Sequence, residues 1–352
     1  MSVPGPSVCD VSTTTQEQGA VGPAAPVTDE LEQHRRELTG YCYRMLGSAF
    51  DAEDAVQEAM VRAWRAADRF EGRSSVRSWL YRIATNVCLD MIGARGRRAT
   101  PMDLSSGPSA PVASSLGEQL TDVAWLGPVP DERVVPVDGD PADVAVARES
   151  VRLAFVAALQ HLPPRQRAVL ILRDVLRWSA DEVAALLGST TAAANSALQR
   201  ARATMAARGL TSAEAPSEPA DALDDELQDL LARYVDAFER YDMAALVTLL
   251  HADATQVMPP YAMWLRGADD IAAWMLGVGS ECRGSRLVPL AANGTIAFGQ
   301  YRPSGPGGSH RPWAVSVLEV SSGRVSAITA FLDVAPLFPL FGLPEDPSSL
   351  ER

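Results

Sequence analysis

The stretch 181–205, DEVAALLGSTTAAANSALQRARATM, predicts two short helices joined by a tight turn. Gly188 supplies the positive φ that such a turn favours, and Ala184 is small where the two helices must cross. Apolar residues at helical spacing are expected to face a supporting core: Val183, Leu186, Leu187, Ala194 and Leu198. The polar residues left on the outward face are Thr190, Thr191, Asn195, Gln199, Arg200 and Arg202.

This pattern is typical of a helix-turn-helix, in which the second helix enters the major groove of DNA. Asn195 and Gln199 carry amides that can read adenine edges, and the arginines can contact phosphates or guanine. An ordinary helical hairpin with a solvated arginine face would have the same spacing. The spacing alone therefore leaves both interpretations open.

The composition allows DNA binding only on local surfaces. The chain has 352 residues, enough for two or three domains, and a net charge of −13 in which arginine is the only strongly basic residue type. Such acidity argues against a general nucleic-acid coat but not against basic patches on an acidic body. No apolar run is long enough to span a bilayer, and the N-terminus does not look like a signal peptide, so we expect a cytoplasmic protein.

The four cysteines, Cys9, Cys42, Cys88 and Cys282, are far apart in the sequence and form no CxxC pair. This spacing predicts reduced thiols and neither a disulfide framework nor a zinc site. We therefore expect no metal and no cofactor.

A second basic stretch is FEGRSSVRSWLYRIATNVCLDMIGARGRR, residues 70–98. Its arginines are interleaved with aromatic and amide side chains, which suits single-stranded DNA because charge holds phosphates while rings and amides hold bases. The candidates are Arg73, Arg77, Trp79, Arg82 and Asn86. Alternatively, Trp79 belongs to the core together with Leu80, Ile83 and Val87.

A third stretch, DAEDAVQEAMVRAW at residues 51–64, is predicted to expose acids and an amide on one helix face: Asp51, Glu53, Asp54, Gln57 and Glu58. Acids in a first helical turn usually complement the helix dipole. By itself this face is weak evidence for a protein partner.

In this order the stretches resemble the extracytoplasmic-function sigma factors of the sigma-70 family. Residues 51–90 resemble region 2, and residues 158–203 resemble region 4. The resemblance implies a transcription initiation factor, not an enzyme, that binds core RNA polymerase and the −10 and −35 promoter elements.

The resemblance also implies residue roles. Asp51, Asp54, Gln57 and Glu58 would bind the polymerase clamp helices, while LPPRQR (Leu162–Arg167) resembles the polymerase-flap contact. The −10 strand would be captured by Arg73, Arg77, Trp79, Arg82 and Asn86. The −35 element would be read by Thr190, Thr191, Asn195, Gln199, Arg200 and Arg202. The acidic linker between the modules would pass through the polymerase active-site and RNA-exit path.

The segment NSALQRAR, residues 195–202, is similar to a subgroup whose members carry an extra C-terminal domain. Residues 230–275 accordingly resemble the SnoaL-like, ketosteroid-isomerase-like fold, in which a curved antiparallel sheet cups a cone-shaped pocket. The candidates to line it are Met258, Tyr261, Trp264, Arg266, Trp274, His251 and Trp313. A regulator acting in cis, a small-ligand sensor and an isomerase- or cyclase-type enzyme all fit this domain.

The predicted fold is multidomain, with two all-α sigma modules followed by an α+β cone. The predicted divisions are a disordered tail at 1–27, region 2 at 28–98, an acidic Pro/Gly-rich linker at 99–143, region 4 at 144–208, a second linker at 209–222, the SnoaL-like domain at 223–342 and a tail at 343–352. A dimeric repressor is a further alternative, but it gives no role to the single-strand-binding stretch or the long linker. The sequence does not identify a promoter, an activating signal or an anti-sigma partner.

Overall fold

The computed structural model describes residues 31–72, 74–137, 140–208 and 220–351, so the predicted N-terminal tail and most of the second linker lie outside the described residues. The helices are α1 (Arg35–Leu46), α2 (Ala49–Ala66), α3 (Val76–Arg95), α4 (Asp131–Val134), α5 (Pro141–Glu149), α6 (Leu153–Gln160), α7 (Pro164–Leu170), α8 (Ala180–Leu186), α9 (Thr191–Ala206), α10 (Ala220–Glu239), α11 (Met243–Leu249), α12 (Ala268–Leu276) and α13 (Val334–Leu340). No described helix is both long and apolar enough to cross a membrane.

The first module consists of α1 to α3, and local signals set its helix ends. Gly47 ends α1 in the left-handed region at φ 70°, and the Ser48 hydroxyl caps α2 by accepting the backbone N–H of Asp51. Ser75 caps α3 in the same way through the N–H of Ser78. The three helices bury one another's apolar faces, with Leu38, Tyr41, Leu80 and Ala84 fully buried.

The predicted helix-turn-helix is present in the second module, α5 to α9. A capping box between Ser179 and Glu182 starts α8, and Gly188 makes the turn with φ 60°. Thr190 then caps α9 by accepting the N–H of Ala193. Before the motif, α7 continues into a π-helical turn, Ile171–Val175.

The segment between the modules has short turns and the one-turn helix α4, and it lies against its neighbours. Ala99 bridges to Trp125, and the backbone N–H of Gly127 donates to the carbonyl of Gly47. Further along, Pro130 bridges to Ala292 of the C-terminal sheet. In this conformation the segment therefore contacts both the first helical module and the C-terminal sheet.

The C-terminal domain contains six strands: β1 (Leu250–Val257), β2 (Trp264–Arg266), β3 (Arg286–Ala292), β4 (Thr295–Arg302), β5 (Arg311–Ser321) and β6 (Arg324–Phe331). Their order in the sheet is β2-β1-β6-β5-β4-β3. The predicted sheet is antiparallel, but β1 and β6 pair in parallel. Parallel pairing is possible here because β2 to β5 and α12 lie between β1 and β6 in the chain, so that no hairpin turn joins the two strands.

The two faces of this sheet belong to different cores. Phe298 and Leu318 pack with α10 to α12, whereas Ala297 and Val317, one residue away on the same strands, join the core of the helical modules. This is the alternation expected of a β-sheet covered on both sides. The outer face of the sheet thus continues the hydrophobic core of both sigma-like modules.

Candidate functional site

The outward face of α9 is open to solvent. Asn195, Gln199 and Arg200 are exposed, as a groove-reading helix requires. The other candidates on this helix have intramolecular partners: Thr191 donates to Asp181 at 2.6 Å, and Arg202 pairs with Asp174 at 2.6 Å.

The basic face of α3 is partly covered. The Arg77 guanidinium lies 3.0 Å from Glu37, and it stacks 5.2 Å from the ring of Tyr81 and 5.3 Å from that of Trp178 in the second module. Arg82 and Asn86 are exposed on the same helix. Arg73 lies outside the described residues.

Trp79 does not have the exposed ring that base stacking requires. It is 7% exposed, and its ring packs 4.8 Å from that of Phe70, centroid to centroid. In this conformation Trp79 belongs to the core, because α3 turns it inward beside Leu80, and its role in base stacking stays a prediction.

Asp51 is likewise not on the exposed acidic face. It is 7% exposed, its Oδ1 is 2.5 Å from Arg95 Nη1, and its Oδ2 accepts from Arg98. The predicted exposure of Asp51 is wrong here, because the C-terminal end of α3 folds two arginines over it. Asp54, Gln57 and Glu58 are exposed, and Glu58 pairs with Arg62 at 2.7 Å.

The LPPRQR segment contributes to the interior as well as the surface. Arg167 is 1% exposed and donates to the carbonyl of Met45 and to Gln160 Oε1, the latter at 2.8 Å. Burial lowers the pKa of Arg167 to about 10. This side chain therefore joins the two helical modules, while Arg165 remains exposed.

A junction at the tip of the β3–β4 hairpin was not predicted from the sequence. Asn293 is fully buried, and its Nδ2 donates to Tyr43 Oη at 2.6 Å and to the carbonyl of Val151 at 2.8 Å. Its Oδ1 accepts the backbone N–H of Val129 at 3.1 Å. One side chain thus links the first module, the inter-module segment and the start of the second module. Asn-Gly is a recognised hairpin-turn signal, but it does not indicate what the turn contacts.

A cavity of about 260 Å³ lies between the inner sheet face and α10 to α12. Met258, Tyr261, Trp274 and Trp313 line it, as predicted from the sequence. Trp264 and Arg266 do not. They lie on the short edge strand β2, where the Trp264 indole N–H donates to Ser105 Oγ at 2.6 Å and Arg266 lies 3.6 Å from Asp253.

His251, which was also a candidate to line the cavity, lies outside it: it is exposed, and its ring nitrogen accepts the backbone N–H of Asp253 at 3.2 Å. Within the described ranges, no group of three or more His, Cys, Asp and Glu side chains is placed to hold a metal ion.

Together, an exposed helix-turn-helix, a basic helix beside it and a C-terminal cone define a multidomain DNA-binding protein. Residues 31–98 match Sigma-70 region 2, residues 152–205 match Sigma-70 region 4, and residues 231–328 match the SnoaL-like domain.

Two curated relatives from Mycobacterium tuberculosis match most of this chain. The extracytoplasmic-function (ECF) RNA polymerase sigma factor SigG is 48% identical over 319 residues, which are 89% of this chain and 83% of SigG. SigJ is 29% identical over 313 residues, which are 85% of this chain and 89% of SigJ. The crystal structure of SigJ matches with a TM-score of 0.58 and 25% identity, covering 90% of this chain and 99% of SigJ.

The chain belongs to the ECF RNA polymerase sigma factors. It is a promoter-recognising transcription initiation factor with a SnoaL-like C-terminal domain.

Proposed function

We propose that the C-terminal domain regulates this sigma factor in cis by holding regions 2 and 4 in a closed arrangement that polymerase must open. The burial of Asn293 at the junction of both regions is the observation that carries the proposal. In this proposal the chain is not an enzyme and acts in the cytoplasm, where core polymerase and promoter DNA are its partners.

Promoter geometry supports this proposal. The −10 and −35 boxes are centred about 25 base pairs apart, or roughly 85 Å along B-DNA at about 3.4 Å per base pair. Here the helix assigned to −10 binding packs directly on region 4, with the rings of Tyr81 and Trp178 5.0 Å apart. A chain with these two rings in contact cannot place its two modules on both boxes, so regions 2 and 4 must separate.

The residue assignments follow from which side chains are exposed on each surface. We assign −35 reading to Asn195, Gln199 and Arg200, which are exposed, and we expect Thr190, Thr191 and Arg202 to position the helix. For the −10 strand we assign Arg82 and Asn86, with Arg77 joining once it leaves Trp178. Asp54, Gln57 and Glu58 are already exposed and would contact the polymerase clamp without rearrangement. Asp51 would do so only after Arg95 and Arg98 move away from it.

The hairpin turn tests the proposal most directly. Replacing Asn293 by Ala removes hydrogen bonds to Tyr43, Val129 and Val151, and each buried bond contributes about 1 kcal/mol. Weaker closure raises the fraction of open chains, so the apparent affinity for core polymerase should increase by up to about a hundredfold. Binding would be measured by fluorescence anisotropy, and promoter output by transcription in vitro.

Ser322→Ala is the matched control. Ser322 occupies the equivalent left-handed position, φ 51°, of the β5–β6 turn, but it is exposed. It should leave polymerase affinity unchanged. Equal effects of the two substitutions, or no gain from Asn293→Ala, would reject regulation through the hairpin. Deleting the chain after Ala215 should raise affinity at least as much.

A further inference from the structure

The cavity in the C-terminal domain has the size and lining of a small-molecule site. Its walls are largely apolar and aromatic: Tyr234, Phe238, Ile271, Trp274, Met275 and Ile328. A dry cavity of about 150 Å³ accommodates benzene. The volume of about 260 Å³ found here therefore suits a molecule the size of a fused bicyclic ring.

The apolar lining also contains the polar side chain of Gln256. Gln256 on β1 is 5% exposed, and no side-chain hydrogen bond links its amide to any described residue. The Gln300 amide, by contrast, donates to Ser285 at 3.1 Å. The Gln256 amide lines the cavity and is therefore available to hydrogen-bond with a molecule bound there.

A second polar position lies on another strand of the same sheet. The Arg302 guanidinium on β4 stacks 3.8 Å from the Trp313 ring, and its Nη2 pairs with Glu281 at 2.7 Å. Its buried Nε has no hydrogen-bond partner among the described residues. Glu281 is largely exposed, so solvent screens this ion pair and a bound carboxylate can compete with Glu281 for the guanidinium.

The spacing of these groups limits the shape of the ligand. β1 and β4 are separated by β6 and β5, three strand spacings or about 14 Å across the sheet. The side chains of Gln256 and Arg302 both extend from their strands into the cavity. The geometry points to a site for a flat, mostly apolar carboxylate of bicyclic size, with its carboxylate on Arg302 and a hydroxyl or carbonyl oxygen at the other end on Gln256.

The inter-module segment covers this site. We call residues 105–120 the strap. Leu116 of the strap lines the cavity, the Gln119 amide donates to Tyr261 Oη at 3.0 Å, and the backbone N–H of Leu120 donates to Pro260 O at 2.9 Å. Ligand under the strap contacts Leu116 and so strengthens its closure. This consequence rests on the proposed role of the C-terminal domain, whereas binding itself does not.

Fluorescent probes can test each end of the site on the full chain without polymerase. The ligand 6-hydroxy-2-naphthoate carries both polar groups, 2-naphthoate lacks the hydroxyl, and 2-naphthol lacks the carboxylate. The first should bind tightest, about tenfold more tightly than 2-naphthol, because a hydrogen bond to a charged group is the stronger kind. Equal affinities, or no binding by any probe, would overturn the assignment.

Substitutions then assign the two ends. Arg302→Met should weaken 6-hydroxy-2-naphthoate about tenfold without weakening 2-naphthol, and Gln256→Leu should weaken it about threefold without weakening 2-naphthoate. Glu281→Gln should tighten both carboxylates, because it frees Arg302 Nη2. Arg302→Lys preserves the positive charge, so it should reduce the affinity for 6-hydroxy-2-naphthoate less than Arg302→Met does. Equal losses for all probes would show a purely apolar cavity and overturn the carboxylate assignment.

The strap is tested by hydrogen exchange. The backbone N–H of Ser109 donates to the carbonyl of Trp264 at 2.7 Å, so this amide and that of Leu120 report strap closure. Saturating 6-hydroxy-2-naphthoate should slow their exchange severalfold, and Leu116→Ala should speed probe association. Binding without any change at these amides would overturn the role of the strap. The polymerase affinity of Asn293→Ala would be unaffected by that result, so the two proposals can fail separately.

Discussion

At the scale of single residues, the free chain covers Asp51, which we proposed as a polymerase contact. Arg95 and Arg98 both pair with its carboxylate. Replacing both arginines by Gln should expose Asp51 and raise the affinity for core polymerase by about three- to tenfold, since opening then costs less. Titration of labelled core polymerase with each variant measures this change.

Arg65→Gln is the control for that prediction, because Arg65 is exposed on α2 and leaves the Asp51 pairs intact. It should bind polymerase like the unaltered chain. If the double variant binds more weakly than this control, the two arginines contact polymerase themselves and do not mask Asp51.

The positions of individual side chains show which features of the structure follow from the sequence alone. Burial of Val183 and Leu198 was predictable, because helical spacing alone places them on one side. Trp79 was ambiguous, because an aromatic residue on a basic helix fits both core and nucleic-acid contact until Phe70 is known to cover it. Asn293 was identifiable as a turn residue only, because its partners are more than 140 positions away.

At the scale of elements, the helices and turns were more predictable from the sequence than the contacts between distant elements. The helix-turn-helix follows from a capping serine, a turn glycine and a 3.6-residue period, all local signals. The segment 99–143 has no such period, so its sequence indicated a linker. Its position depends on contacts with distant residues, such as the bridge between Pro130 and Ala292. Parallel pairing of β1 with β6 is equally non-local.

The contact between β5 and α6 should make stability depend on pH. The Glu319 carboxylate accepts the N–H of Ala154 at 3.3 Å and lies 3.4 Å from Arg152 Nε, with Glu149 nearby. Burial raises the pKa of Glu319 above its ordinary value of 4.5 despite the attraction of Arg152. The protonated carboxyl is thus favoured by folding, and its stabilisation is complete below pH 4.5 and lost as pH rises through the raised pKa.

Comparison with Glu319→Gln isolates this effect. The unfolding free energy of the unaltered chain, minus that of Glu319→Gln, should fall as pH rises above 4.5 and level off once the carboxyl is ionised. Urea unfolding between pH 4 and pH 8 measures it. Glu345→Gln, at an exposed tail position, should give a flat difference. A flat difference for Glu319→Gln would mean that its carboxyl does not titrate differently on folding.

At the scale of the whole molecule, the sheet's outer face and both sigma modules share one hydrophobic core. Separating regions 2 and 4 must expose part of that core, at about 25 cal/mol for each Å² of apolar surface. Polymerase contacts must compensate this cost before both promoter boxes can be bound. The acidic net charge of −13 adds repulsion from DNA in the closed chain, so free promoter binding should be weak.

Energy transfer between dyes on the two modules would follow this opening directly. Arg65→Cys on α2 and Ala193→Cys on α9 place labels on exposed positions of regions 2 and 4, with Cys9 and Cys282 changed to Ser and Cys42 and Cys88 buried. Transfer should be high in the free chain and fall when core polymerase is added. It should also fall without polymerase after deletion beyond Ala215, because the sheet no longer joins the modules. Persistent high transfer in the polymerase complex would contradict the closed-to-open transition. It would mean that the two modules remain packed together, and packed modules cannot lie on promoter boxes about 85 Å apart.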